Sequence, residues 1–103
     1  MIVESKPDFL TTREKMIVLL SFTDIPLTAK EIKDRLGIRN EKEVYEHLYH
    51  IAKSLKRKEK KLIVYLPRCR DCGYVFNIDK PKKPSKCPKC KSENIEPPRF
   101  IIR

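Results

Sequence analysis

The chain has 103 residues, of which 24 are lysine or arginine and 14 aspartate or glutamate, for a formal net charge of +10. That length holds one small domain or two very small ones, and no run approaches the roughly 18 consecutive apolar residues of a membrane span, so a membrane partner is not expected. The positive charge belongs to the C-terminal two-thirds: residues 1–24 carry three basic and four acidic side chains, and residues 62–103 carry ten and four.

Residues Met1 to Asp8 show no charged region followed by an apolar run, so no secretory segment is read there and a cytoplasmic protein is expected. Three helix starts follow, each with a side-chain acceptor three residues before a glutamate: Thr11 with Glu14, Thr28 with Glu31, and Asn40 with Glu43. In such a capping box the first residue accepts from an unpaired amide of the opening turn and the glutamate bonds back to the cap. The first helix is predicted over Thr12 to Phe22, burying Met16, Ile17, Leu19 and Leu20, and the second over Ala29 to Leu36, stopped by Gly37. The third is predicted from Glu41 to about Lys58, with Val44, Leu48, Ile51 and Leu55 at helical spacing. His47 and His50 lie opposite that stripe and read as solvated surface histidines.

A short helix, a glycine-containing turn and a longer helix form a helix-turn-helix pattern, one that many small helical bundles share. Here it is followed by the β-branched and apolar run Leu62 to Leu66, and a second such run closes the chain at Arg99 to Arg103. Three helices followed by two strands is the order of a winged helix. The expected fold class is therefore α+β: three helices plus a wing hairpin, with a small metal ribbon inserted in the wing; the alternative, an independent tail joined end to end, would leave Leu62 to Leu66 as an exposed apolar edge. The corresponding boundaries are residues 1–66, 67–98 and 99–103.

The inserted stretch carries two CxxC pairs, Cys69 with Cys72 and Cys87 with Cys90, separated by fourteen residues. A CxxC turn sets two sulfurs on one side of a tight bend, and two facing bends complete a tetrahedron around a borderline-soft ion such as Zn²⁺. One structural zinc on Cys69, Cys72, Cys87 and Cys90 is the expected cofactor. Two disulfides are an alternative, weakened by the short strained loop a CxxC disulfide closes, although the lysine- and isoleucine-rich composition leans toward hyperthermophiles, where intracellular disulfides occur. A dithiol redox pair would not need a twin. Between the pairs, Gly73 to Ile78 is predicted as a strand and Pro81 to Lys86 as a proline-stiffened basic loop; Pro97 and Pro98 separate the insertion from the returning strand.

Three stretches, Pro26 to Ile32, Ile51 to Lys56, and Cys69-Arg70-Asp71-Cys72-Gly73-Tyr74-Val75-Phe76, together resemble archaeal predicted transcriptional regulators that fuse a winged helix to a rubredoxin-like zinc ribbon. The resemblance spans nearly the whole chain and implies a winged-helix fold, a structural Zn(Cys)4 and a role in DNA binding or transcription. The first knuckle matches the rubredoxin-like CxxCGY pattern; the second departs from it, because Lys91 stands where glycine is usual.

In a winged helix the start of the third helix enters the major groove, where Arg, Lys, Asn and Gln read base edges. Arg39, Asn40, Lys42, Tyr45 and Tyr49 are the candidates, set among Glu41, Glu43 and Glu46, which face a polyanion poorly. Further cations, Lys53, Lys56, Arg57, Lys58, Lys60 and Lys61, then Lys82 and Lys83 in the ribbon loop, suit phosphate contacts or a plain solvated surface. Double-stranded DNA is the expected partner. A protein adaptor in the transcription machinery and an iron electron carrier are the alternatives. No enzyme and no small-molecule substrate are expected, since a closed four-ligand site leaves no open position.

Overall fold

Thr11 and Thr28 open the first two helices by the same exchange. In the computed structural model, which describes residues 10–55 and 59–103, the Thr11 hydroxyl accepts from the Glu14 amide at 3.1 Å and the Glu14 carboxylate accepts from the Thr11 amide at 2.9 Å. Thr28 and Glu31 repeat this at 3.2 and 2.9 Å. Helices α1 (Thr12–Phe22) and α2 (Ala29–Leu36) therefore begin on satisfied amides. Gly37 ends α2 in a left-handed turn, φ 68° and ψ 33°, a conformation that costs glycine little.

Helix α3 (Glu41–Leu55) has half a box. Asn40 Oδ1 accepts from the Glu43 amide at 2.9 Å, but the Glu43 carboxylate goes to Arg39 at 3.2 Å, a charged donor that outcompetes a neutral amide. The expected continuation to about Lys58 lies outside the described residues.

The main sheet holds β1 (Leu27–Thr28), β5 (Arg99–Ile102) and β2 (Leu62–Tyr65) in that order, all antiparallel. Leu62 faces Ile102, Val64 faces Phe100 and Tyr65 faces Arg99 across the β2–β5 pair, while Leu27 faces Phe100 across β1–β5. Alternation decides what each strand buries: Leu62 and Val64 point to the helices, Ile63 and Tyr65 away. The core gathers Met16 and Leu20 of α1, Leu27 of β1, Ala29 and Ile32 of α2, Val44, Leu48, Ile51 and Leu55 of α3, and Phe100 and Ile102 of β5. Each large side chain so buried contributes about 1.5–3 kcal/mol, so the helical unit carries most of the hydrophobic stabilisation.

Helix α1 has no basic residue in its last turn. Arg103, directly after β5, supplies the missing charge, its guanidinium donating to the Ser21 carbonyl at 3.1 Å and also to that of Thr23.

A second sheet pairs β3 (Arg68–Cys69) with β4 (Ile95–Glu96). The strand expected over Gly73 to Ile78 is reduced to one bridge, Val75 to Arg68. Its partner β3 is confined between Pro67, which has no amide to donate, and the turn at Cys69, and β4 takes the other edge. Cys69, Phe76, Cys87 and Ile95 make a small second core with Ile78 against it. Among the described residues no helix is long and apolar enough to cross a membrane.

Candidate metal centre and nucleic-acid interface

The two CxxC turns are built by the same hydrogen bonds. In the first, the Cys69 amide donates to the Tyr74 carbonyl at 2.8 Å and the Gly73 amide to the Cys69 carbonyl at 2.9 Å; in the second, Cys87 donates to Ser92 at 2.8 Å and Lys91 to Cys87 at 2.9 Å. The second turn needs a left-handed residue where the first has Gly73, and Lys91 adopts it at φ 66°.

These turns bring the sulfurs together in the geometry of a single ion. Cys69 Sγ lies 3.5 Å from Cys90 Sγ, Cys72 Sγ lies 3.6 Å from Cys87 Sγ, and all four fall within 4.8 Å of one another. A tetrahedron with Zn–S bonds of about 2.3 Å has edges of about 3.8 Å, so the donor set fits one zinc. Cys69 and Cys87 are buried, and Cys72 and Cys90 reach the surface. Burial alone would raise the Cys87 thiol, but the amides of Cys90 and Lys89 point at its sulfur and hold it down to about 7. Cys90 goes the other way. The Ser92 amide lowers it, but the neighbouring Cys69, Cys72 and Cys87 sulfurs, which desolvate and hydrogen-bond it, push it up. Four adjacent thiolates repel one another, and a dication at their centre is what lets all four ionise. Four thiolates also close the coordination shell, the arrangement of a structural site.

A polar network locks the two turns together. Asp71, inside the first pair, accepts from the Ser92 hydroxyl and, at 3.3 Å, from the Asn94 side-chain amide; the Arg70 amide donates to the Asn94 carbonyl at 2.9 Å. Sequence reading missed this network, although Asp, Ser and Asn next to tight turns are the residues that bond local backbone.

The expected nucleic-acid residues are spread unevenly. Arg39 is occupied by Glu43, and Asn40 by the α3 cap. Lys42 is exposed. Tyr45 is not on that surface: it packs edge to face on Phe100 with ring centroids 6.1 Å apart, and burial pushes its hydroxyl up to about 12. Tyr49 is 37% exposed, with Lys53 Nζ 4.3 Å from its ring centroid. Lys60, Lys61, Lys82 and Lys83 are exposed. Lys56, Arg57 and Lys58 lie outside the described residues. His47 is half-buried instead of freely solvated and accepts from Arg13 Nε at 3.1 Å; burial, then the Arg13 charge, lowers its pKa.

The family description PF0610-like, N-terminal matches residues 11–63, and the PF0610 rubredoxin-like zinc beta-ribbon domain matches residues 67–103. Among solved structures, the solution NMR structure of protein PF0610 from Pyrococcus furiosus is 35% identical, with a TM-score of 0.76 over 100% of this chain and 96% of that one. With both matches in register with the helical unit and the tetrathiolate centre, the chain belongs to the PF0610-like family, an N-terminal domain followed by a rubredoxin-like zinc β-ribbon.

Proposed function

We propose that the protein binds double-stranded DNA as a cytoplasmic transcription regulator, with a winged helix as its DNA-binding frame and the zinc ribbon as a structural module. The observation that carries this reading is where cations stand without an acidic partner. Lys30 and Lys33 pair with Asp34, Arg39 with Glu43 and Arg99 with Glu31. Lys53, Lys60, Lys61, Lys82 and Lys83 are exposed and have no ion-pair partner among the described residues. Unpaired lysines of this kind suit phosphate contacts. Setting aside β3 and β4 of the ribbon, the order helix, strand, helix, helix, strand, strand, with β5 central in the sheet, supports the winged-helix frame. We propose no catalytic role, because a shell of four thiolates leaves no coordination position for a substrate.

The acidic start of α3 limits how DNA is read. Glu46 is exposed and unpaired among the described residues, one turn beyond Lys42, so phosphate contacts outweigh base contacts in this reading. The same acids favour a second reading, an adaptor that docks a basic protein partner there.

Gel retardation of a duplex across a salt series separates the two. DNA binding through lysines gives a shifted band at low salt and an affinity that falls linearly with salt on logarithmic axes. No shift at low salt, or a response flat in salt, would favour the adaptor.

A further inference from the structure

The segment that leads into the basic loop of the ribbon meets α3 at a cleft. Asp79, Lys80 and Pro81 form one side of a cleft of about 130 Å³ whose other side is Ala52 of α3 with Leu62 and Val64 of β2. One turn before Ala52 stands the exposed ring of Tyr49, and directly after it Lys53, whose ammonium lies over that ring. Lys53 holds the Tyr49 hydroxyl below its usual range; Lys80 adds to this and Asp79 opposes it. Lys80 thus lines the cleft with Ala52, the neighbour of Lys53 in α3, although it arrives from the metal-binding segment. Lys82 and Lys83 follow it on the same loop, exposed.

We propose that this junction is where the nucleic-acid backbone lies, with Lys53 of α3 and Lys80, Lys82 and Lys83 of the ribbon loop contacting successive phosphates around Tyr49. The proposal rests on the DNA-binding reading and makes the ribbon a contact element as well as a structural one. Two acids bound the track. Asp79 sits in the cleft wall, and Glu46 lies one turn before Tyr49, which confines the phosphates to the later part of α3. Contacts of this class are to the backbone, so the affinity they supply is indifferent to base sequence.

The test compares the zinc-loaded full chain with Lys80→Ala/Lys82→Ala/Lys83→Ala by fluorescence anisotropy, on two duplexes of unrelated sequence across a salt series. A control, Lys30→Ala/Lys33→Ala, removes positive charge from α2. The junction variant is expected to lose about tenfold or more in affinity for both duplexes and to show a logarithmic salt slope shallower by about 2–3, while the control changes little. Wild-type binding with an unchanged junction variant would overturn the proposal alone, as would an equal loss in the control, which would assign the effect to bulk charge. A wild-type chain that binds neither duplex at low salt would overturn the DNA-binding reading and this proposal with it.

Discussion

Gly73 and Lys91 hold the same backbone position, each directly after the second cysteine of its pair, and both turn left-handed, at φ 79° and 66°. For glycine this conformation is nearly free, whereas a side chain there crowds its own carbonyl. No atom lies within 4 Å of a Cβ built on Gly73, so the effect of a substitution is torsional and not a clash. Lys91→Gly is expected to stabilise the ribbon by up to about 1 kcal/mol and Gly73→Ala to destabilise it by about 1 kcal/mol. Competition with a chromophoric chelator reads both as opposite shifts in zinc affinity.

Loss of one buried sulfur should dissociate the metal from its fold. Zinc coordination contributes on the order of 10 kcal/mol in small modules, and the ribbon's own apolar cluster is too small to replace it. Cys69→Ser is expected to carry well under one zinc per chain and to lose the β3–β4 signals in amide spectra while the helical signals persist. Full metal content with an unchanged melt would contradict the ligand assignment. Native protein purified without added metal should contain about one zinc, and a red, reversibly reducible iron form would revive electron transfer.

Acid should weaken the second capping box. Glu31 is held below its usual 4.5, first by the Thr28 amide and further by Arg99, and partly against its own burial. A carboxylate whose folded pKa is depressed adds stability that is complete above the unfolded value and lost as pH falls through the folded one. Glu31→Gln keeps a box-closing side chain but cannot titrate. Urea midpoints should therefore show the variant less stable than the parent near neutrality, with the gap closing as pH falls below the usual carboxylate range. A gap constant with pH would contradict the assignment.

Tyr45 carries a buried hydroxyl with no hydrogen-bond partner among the described residues. Removing an unsatisfied polar atom while keeping the ring against Phe100 is neutral or favourable, so Tyr45→Phe should melt at the same temperature or higher, by up to about 1 kcal/mol. DNA affinity should not change, since the residue faces the core. A clear loss of binding would place Tyr45 at the interface after all.

Features fixed by a few neighbouring residues were legible in the sequence. The bounds Thr12 to Phe22 and Ala29 to Leu36 follow from Thr-x-x-Glu boxes and from Gly37, and the four sulfurs from CxxC spacing. Features that depend on distant partners were not. Tyr45 looks like a groove residue until Phe100, from the far end of the chain, is seen to cover it. Strands of two residues such as Leu27–Thr28 and Ile95–Glu96 carry no periodicity to detect, and exist because β5 and β3 offer them an edge. The third box failed because Arg39 competes for Glu43, a contest that spacing alone does not reveal.

Tyr65 and Arg99 are register partners at the end of the β2–β5 ladder, so everything between them departs from and rejoins a single point. Partners of this kind stand about 5 Å apart, a gap that a two-residue turn spans. The metal-bearing stretch is thus an excursion from a hairpin tip: its two ends leave the host strands no farther apart than a tight turn would.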